Sequence, residues 1–241
     1  MPNSSYITPI VLLVINIYNF YKFKAQSRLL NFSHHLRFNR RLVYYVYMKR
    51  INKRDLLIQT GKQIIVQQGF KAAGLNKILT TAGVPKGSFY YYFSSKDDFG
   101  LAIIDSFAEK YKKKIEQILT DDRIPHLQRL RNYFESGIAD MKDSECKDGC
   151  LMGNLAQELS AQNELFRDRL SQIFIDWQEA FAQCLQGAQT AGELSADRNV
   201  NTLAKFILAS WQGAILQAKV NQSVEPMETF LNLLFDDILT N

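Results

Sequence analysis

The apolar positions along this chain follow a helical pattern almost throughout. In residues 96–119, Phe99, Ile103 and Phe107 recur every four residues, which places them on one face of an α-helix. No stretch of useful length shows the strict alternation of a half-buried strand. The segments with helical periodicity are 53–68, 75–82, 96–119, 123–141, 150–160, 164–190, 199–221 and 226–239. The pattern therefore predicts an all-α fold.

A short segment near residue 90 differs from these core-forming helices. Gly83 is suited to a turn, and Pro85 to the first helical position after it, where its missing N–H has no partner to lose. Phe89 and Phe93 are four residues apart, so we predict that both are buried on one face. The three consecutive tyrosines 90–92 cannot all point inward from one helix. At least one of them is therefore predicted to be exposed.

The order of elements around this segment is that of a helix-turn-helix unit. Residues 53–68 and 75–82 each predict a helix, and Gly69 is placed to end the first one. A glycine turn and the short helix follow. In such units the last helix enters the major groove of DNA. We therefore predict a three-helix DNA-binding domain.

The distribution of charge supports that prediction. Residues 1–47 contain six basic and no acidic residues, and residues 48–96 contain nine basic residues and one acidic residue. Residues 97–241 contain 14 basic and 23 acidic residues. Phosphate neutralisation uses lysine and arginine, so the basic region is the one suited to DNA. The acidic remainder is suited to another task.

In this region the chain resembles the TetR family of transcriptional repressors. The matching residues are Gly69-Phe70, Ile78, Ala82-Gly83-Val84, Lys86-Gly87-Ser88-Phe89-Tyr90, Tyr92-Phe93 and Ser95-Lys96. One departure is Ala73-Gly74, where members of the family commonly carry Ser or Thr before the second helix. A side-chain cap and a phosphate contact are therefore not expected at that position, although glycine is a tolerable N-cap.

The resemblance and the predicted exposure together select the candidate DNA-binding residues. They are Lys77, Lys86, Gly87, Ser88, Tyr90, Tyr91, Tyr92 and Lys96. We expect Lys96 to contact phosphate, and Lys86 and Tyr91 to influence sequence preference. The predicted partner is a double-stranded DNA operator.

The chain is predicted to have three regions. Residues 48–95 form the helix-turn-helix domain, and residues 96–241 form an all-helical regulatory and dimerisation domain. Residues 1–47 are interpreted as an N-terminal extension or a misassigned start upstream of Met48. Their apolar run, residues 10–17, is shorter than the roughly 20 residues of a membrane span. A weak membrane-surface anchor is the alternative, and no stable membrane association is expected.

The last two predicted helices are the most apolar. Their helically spaced residues are Leu203, Phe206, Ile207, Ser210, Trp211, Ala214, Ile215 and Ala218 in one, and Met227, Leu231, Leu234 and Ile238 in the other. Such a pair can be buried within a monomer, but the TetR resemblance implies a four-helix dimer interface. A dimer also suits a palindromic operator, because its recognition helices would lie about 34–36 Å apart, or a multiple of that.

Three cysteines lie in the predicted regulatory domain. Cys146 and Cys150 lack two further nearby ligands, so no zinc site is predicted. A structural disulfide is not expected in a cytoplasmic DNA-binding protein. Cys150 follows Gly149 near the start of a predicted helix, where the helix dipole favours the thiolate and should lower the pKa. The residues by themselves leave open whether Cys150 is reactive or packs as a small apolar side chain.

A narrower resemblance bears on that choice. The segments Val84-Pro85-Lys86-Gly87-Ser88-Phe89-Tyr90, Gly149-Cys150-Leu151, Leu216-Gln217-Ala218-Lys219 and Glu225-Pro226 are similar to the NemR-type branch of the family. This resemblance implies that Cys150 senses electrophiles and oxidants, with Lys219 as its partner. Cys146 is a candidate resolving thiol. Cys184 is expected to pack within its helix.

The competing effector is a reversibly bound apolar compound. Its candidate pocket residues are Phe107, Tyr111, Phe134, Trp177, Phe181 and Trp211, although aromatics at helical spacing are more often plain core. No nucleophile-elbow, metalloprotease, P-loop or dinucleotide-binding motif is present, so an enzyme is not predicted. No cofactor or metal is predicted either. We expect a cytoplasmic transcriptional regulator controlled by a small molecule or an electrophile.

Overall fold

The computed structural model of the protein describes residues 53–240. Within that range the chain forms nine α-helices and one π-helical turn, and no strand. The helices are α1 (Lys53–Gln68), α2 (Leu75–Ala82), α3 (Lys86–Tyr92), α4 (Lys96–Leu119), α5 (His126–Asp143), α6 (Leu151–Leu159), α7 (Glu164–Thr190), α8 (Val200–Asn221) and α9 (Glu225–Leu233). The π-helical turn covers Leu234–Ile238. The all-α prediction is confirmed.

Glycines in the left-handed conformation separate the first three helices. Gly69 follows α1 with φ +77°, and Gly83 follows α2 with φ +63°. The N–H of Gly83 donates to the carbonyl oxygens of Leu79 and Thr80, which the end of α2 would otherwise leave unpaired. Gly74 is the N-cap of α2 and provides no side-chain hydrogen bond, as expected from the sequence.

Helix α3 begins one residue later than predicted. Pro85 has φ −61° and ψ 147°, which is an extended conformation, so it is the N-cap and not the first helical residue. Its carbonyl oxygen accepts the N–H groups of Ser88 and Phe89. Phe89 and Phe93 are 0% and 1% exposed, which confirms that they form the buried face of this helix.

The first turns of α4 complete the core of the helix-turn-helix region. The ring of Phe99 lies 5.3 Å from that of Phe89 and 4.9 Å from that of Phe93, measured between centroids. Helix α1 approaches α4 so closely that a Cβ on Gly61 would lie 2.4 Å from the Phe99 ring. Helix α4 therefore belongs to both predicted domains: its start packs on α1, and it also packs on α5 and α7.

The beginning of α4 has two reciprocal caps. The hydroxyl of Ser95 accepts the N–H of Asp98 at 3.0 Å. The carboxylate of Asp98 accepts the N–H of Ser94, the residue before the N-cap, at 2.8 Å, which is a capping box shifted by one residue. These contacts fix the residue at which α4 begins after the short helix α3.

Helix α5 begins at His126, three residues later than predicted. Ile124 precedes Pro125, and a residue before proline is disfavoured in the helical conformation. Pro125 supplies no side-chain cap. The carboxylate of Glu193 does so from a distant turn, accepting the N–H groups of His126 and Leu127 at 2.9 Å. The sequence pattern around residue 123 contains no signal of this distant cap.

The body of the protein is built around α7, which packs against α4, α5, α6 and α8. Its centre is an aromatic cluster in which the ring of Phe134 lies 4.8 Å from Trp211 and 5.6 Å from Phe181. Phe134 and Phe181 are completely buried. These contacts hold α5, α7 and α8 together.

The last predicted helix, 226–239, is two elements in the structure. Helix α9 ends at Leu233, and the π-helical turn closes with a hydrogen bond from the N–H of Leu239 to the carbonyl of Leu234 at 2.9 Å. The wider turn keeps Leu234 and Leu239 buried.

Candidate DNA-binding surface and sensor site

The exposed face of α3 is aromatic and basic. Tyr91 is 82% exposed and Tyr90 is 52% exposed. Lys86 and Gly87 are also exposed, whereas Ser88 and Tyr92 are half-buried. The rings of Tyr91 and Tyr92 meet edge to face, with centroids 5.0 Å apart. The prediction that at least one tyrosine faces outward agrees with this geometry.

The two other lysines predicted to contact DNA have different environments. Lys77 on α2 is exposed. Lys96 is half-buried: its Nζ donates to the carbonyl of Lys71 at 3.2 Å and lies 4.8 Å above the Phe70 ring. Burial lowers the pKa of Lys96, and the carboxylate of Glu158 partly opposes that shift. Lys96 thus ties the start of α4 to the loop between α1 and α2.

The carboxylate of Glu158 on α6 holds the same loop from the helical body. It accepts the N–H of Phe70 at 2.8 Å and the N–H of Lys71 at 2.7 Å. The side chain of Gln162 accepts from the Lys71 ammonium. We call these two carboxylate hydrogen bonds the Glu158 contact. Glu158 has no local sequence signal, because its partners lie almost ninety residues away.

Cys150 is the N-cap of α6, at the other end of the helix that carries Glu158. The Sγ atom accepts a hydrogen bond from the Gln212 amide at 3.6 Å. Burial raises the pKa of the Cys150 thiol above its usual value of 9.0, while the N–H groups of Gly153 and Met152 and the Gln212 amide oppose the rise. The predicted low pKa is therefore wrong in direction. The helix N-terminus does favour the thiolate, but desolvation is the larger effect.

The structure brings Lys219 into the neighbourhood of Cys150. Both residues line a small groove between α6 and α8. The Nζ of Lys219 donates to the carbonyl of Asp148 at 3.4 Å, and its Cδ lies 3.3 Å from where a Cβ on Gly149 would stand. Gly149 has φ +67°. The lysine therefore packs on the turn that leads into Cys150.

The other two cysteines are more deeply buried. Cys146 lies in the turn before α6 with φ +58°, and its carbonyl accepts the Gln222 amide at 3.4 Å. Cys184 donates from its Sγ to the carbonyl of His126 at 3.2 Å, and burial raises its pKa to about 11. Cys184 is buried, as expected from the sequence. All three cysteines are free thiols.

A cavity of about 360 Å³ lies beside Cys150. Of the six predicted pocket aromatics, Phe107, Tyr111 and Trp211 line it. Trp177 lines a different groove, between α4 and α7. Phe134 and Phe181 reach neither space, because both are core residues with no exposed surface. The predicted set is therefore divided among a cavity, a groove and the core.

The outer face of α8 carries exposed apolar side chains. Phe206 is 47% exposed, Leu216 45% and Val220 74%. Phe206 belongs to the apolar stripe that the TetR resemblance assigns to a dimer interface, and it lies at the surface of the single chain. Leu233 of α9 is 51% exposed. An unpartnered face of this kind is typical of a protein–protein interface.

Two negative findings apply to residues 53–240. No group of three or more potential ligands there could hold a metal ion. No helix in the same part of the chain is long and apolar enough to cross a membrane. The interpretation of residues 1–47 as an extension or a surface anchor lies outside the described residues.

A helix-turn-helix unit with an exposed basic and aromatic α3, mounted on an all-helical body, defines a DNA-binding transcriptional regulator. Residues 57–103 match the family described as "Bacterial regulatory proteins, tetR family". Residues 126–234 match "Tetracyclin repressor-like, C-terminal domain". The chain belongs to the TetR family of transcriptional regulators, as the sequence resemblance implied. Its relatives regulate transcription and are not enzymes.

Several relatives match over most of their length. The HTH-type transcriptional repressor DhaR of Mycobacterium sp. (strain GP1) is 36% identical, over 80% of this chain and 95% of its own. The HTH-type transcriptional repressor NemR of Escherichia coli (strain K12) is 31% identical, over 74% and 89%. The solved structure of reduced E. coli NemR covers 76% of this chain and 95% of its own with a TM-score of 0.72 at 30% identity. A regulatory protein TetR from Rhodobacter sphaeroides covers 74% and 94%, with a TM-score of 0.70 at 37% identity.

Proposed function

We propose that this protein is a homodimeric repressor that binds a palindromic operator and is released when an electrophile or oxidant modifies Cys150. The observation that carries the proposal is the placement of Cys150 and Glu158 on one helix. Cys150 caps the start of α6, and Glu158 in its last turn holds the loop between α1 and α2. Eight residues of helix separate them by about 12 Å. A displacement at one end of so short a helix reaches the other.

The chemistry at Cys150 follows from its position. The Cys150 sulfur forms a bond to one alkene carbon of an alkylating agent such as a maleimide. The proton of the thiol is transferred to the other alkene carbon. The added group needs space beside Gln212, which contacts the sulfur, and a Cβ at Gly153 would already lie 2.7 Å from Oε1 of that glutamine. Helix α6 and helix α8 are thus closely packed here. The adduct is expected to shift α6 because dense packing transmits a change in volume.

The effect on DNA follows through the Glu158 contact. Hydrogen bonds to a carboxylate are stronger than those between neutral groups, so their loss frees the loop that precedes α2. The two recognition helices of a dimer must keep a spacing that matches the operator. A conformation in which that spacing is lost binds the operator less well, and modification favours it.

Contacts to DNA are assigned by exposure. We assign Tyr91 and Lys86 on α3 to base edges and Lys77 to the phosphate backbone, since all three are exposed. Lys96 keeps its proposed phosphate contact, because an ammonium has three donors and the hydrogen bond to Lys71 uses one. A Lys96→Ala variant should bind all sequences more weakly and should show a lower salt slope. An unchanged slope would exclude the phosphate role.

The proposed dimer uses the outer face of α8 together with α9. Phe206, Leu216 and Val220 supply exposed apolar area on α8, and Leu233 adds to it from α9. Sedimentation of the wild type and of Phe206→Glu tests this interface. A charge at a buried contact should yield monomers, whereas an unchanged dimer would place the interface elsewhere.

The sensing proposal is tested by gel shift with the DNA upstream of the protein's own gene, before and after N-ethylmaleimide. The wild type and Cys146→Ser should release the DNA, and Cys150→Ser should retain it. Equal release from Cys150→Ser would exclude the sensor role of this cysteine. The protein is expected to act in the cytoplasm, where a free thiol is maintained.

A second candidate is induction by a reversibly bound apolar compound. The cavity lined by Phe107, Tyr111 and Trp211 favours it. A compound panel applied to Cys150→Ser separates the two mechanisms. A compound that raises the melting temperature of that variant and releases its DNA acts without the thiol.

A further inference from the structure

A half-buried cation from the DNA-binding region lines the cavity beside Cys150. Lys62 is on α1, and its Nζ lies 4.8 Å above the ring of Phe107 on α4. Burial is the main cause of the lowered pKa of Lys62. The nearby charge of Lys110 lowers this pKa further, and the carboxylate of Asp148 acts to raise it. Within residues 53–240, none of the ion pairs closer than 4.0 Å includes Lys62. A half-buried ammonium with an aromatic face and a shared carboxylate as its partners, and no ion pair of its own, has incomplete compensation for its desolvation.

The cavity as a whole has an excess of positive charge. Three lysines line it, Lys62, Lys110 and Lys114, against the carboxylates of Asp140 and Asp148. Lys114 and Asp140 neutralise each other at 2.6 Å. Lys62 and Lys110 then share a single carboxylate, that of Asp148. The remaining positive charge lines the same cavity as Cys150.

We propose that this cavity binds small organic carboxylates, whose anionic group pairs with Lys62 and Lys110 while the apolar part lies against Tyr111 and Trp211. The volume of about 360 Å³ admits a molecule of a few to a dozen heavy atoms. Reactive carboxylates are thereby concentrated next to Cys150. Only the placement of the ligand at the sensor thiol rests on the proposed function. The anion site itself is inferred from Lys62 and Lys110 alone.

The anion site also has a direct connection to the DNA-binding helices. Lys62 lies one residue from Gly61, where α1 and α4 are so close that a Cβ would lie 2.4 Å from the Phe99 ring. A carboxylate that draws the Lys62 ammonium into the cavity acts on α1 itself. This connection is separate from the Glu158 contact, which reaches the loop after α1.

The first test compares two alkylating agents of nearly equal size, iodoacetate and iodoacetamide. In both reactions the Cys150 thiolate forms a bond to the methylene carbon, iodide leaves, and the thiol proton goes to solvent. The rates are measured by mass spectrometry of the Cys150 peptide. We expect Lys62→Gln to lower the iodoacetate rate about tenfold through loss of one nearby charge, and to leave the iodoacetamide rate within about twofold.

Two variants control this comparison. Lys62→Arg keeps the charge and should keep the preference for iodoacetate. Lys113→Gln removes an exposed lysine on α4 that pairs with Glu109 and does not line the cavity, and it should leave both rates unchanged. An equal effect of Lys62→Gln on the two agents, or no effect on either, would overturn the proposal.

A second test does not depend on a reactive thiol. In the Cys150→Ser protein, benzoate at millimolar concentration should raise the melting temperature more than benzamide does. Lys62→Gln in the same background should abolish the difference. Equal shifts from the two compounds in the Cys150→Ser protein would contradict an anion site. If benzoate binds but N-ethylmaleimide does not release the DNA, only the sensing mechanism is rejected. If N-ethylmaleimide releases the DNA but benzoate binds no better than benzamide, only the carboxylate site is rejected.

Discussion

The α3 surface and the Cys150 cavity contain the same residue types, tyrosine and lysine, in opposite environments. Tyr91 is 82% exposed, and Lys86 beside it is exposed as well. In the cavity Tyr111 is largely enclosed and burial raises the pKa of its hydroxyl, while burial lowers the pKa of Lys62. Exposed side chains lose their hydration only when DNA arrives. Enclosed ones have already lost it, so they favour a ligand that restores the missing partner.

The largest effect is expected within α3 itself, from the residue that faces the core. Phe89→Ala removes a completely buried ring that packs against Phe93 and Phe99. The free energy of unfolding should fall by about 3–5 kcal/mol because a cavity remains. Urea denaturation measures it. A loss below about 1 kcal/mol would mean that α3 is not held by its aromatic face.

The Glu158 contact should give the next largest effect. Glu158→Ala leaves the N–H groups of Phe70 and Lys71 without their carboxylate, at a cost of about 1.5–3 kcal/mol. Hydrogen exchange of residues 69–74 should accelerate, and operator binding should weaken. Glu179→Ala, at a glutamate that forms no part of the contact, is the matched control. Unchanged hydrogen exchange in Glu158→Ala would show that the Glu158 contact does not couple α6 to the DNA-binding region.

Tyr91→Ala should affect DNA binding without affecting stability. The side chain is mostly exposed, so the free energy of unfolding should change by no more than about 0.5 kcal/mol. Operator affinity should fall about tenfold, with an altered sequence preference, since a base contact is removed. Fluorescence anisotropy with matched operator variants measures both. A loss of affinity that is equal for all operator sequences would indicate that Tyr91 contacts the DNA backbone instead.

The smallest effect concerns the hydrogen bond to the Cys150 sulfur. The thiol pKa is raised by burial, so the alkylation rate at Cys150 should keep rising with pH beyond 9.0, where the thiolate finally predominates. Gln212→Leu removes a bond that favours the thiolate and should move the profile slightly further upward. A profile that levels off near pH 7 would contradict the buried environment. Stopped-flow alkylation across pH 7–10 gives the profile.

Local patterns were sufficient to locate the helix-turn-helix unit. Gly69 and Gly83 were assigned to turns because glycine adopts positive φ at no cost, and both have it in the structure. The burial of Phe89 and Phe93 followed from their spacing of four residues. The start of α5 was missed by three residues, because it depends on Pro125 and on a cap supplied by Glu193.

The candidate sensor site was only partly accessible to the same reasoning. Cys150 and Lys219 were selected, and the structure brings both to one groove. Phe134 and Phe181 were grouped with pocket residues although both are core, since helical spacing does not distinguish a side chain that lines a cavity from one that fills it. Lys62 was not singled out at all, because its proximity to Cys150 depends on how α1 packs against α4.

The sequence by itself determined the all-helical fold, the order of the DNA-binding helices and the TetR family. These depend on spacing and turn chemistry within a few residues. Only the tertiary structure decided that Glu158 holds the loop after α1, that desolvation outweighs the helix dipole at Cys150, and that a lysine from α1 lines the cavity beside Cys150. Each of these depends on contacts between distant segments, and burial, which sets their electrostatics, exists only once the helices have packed.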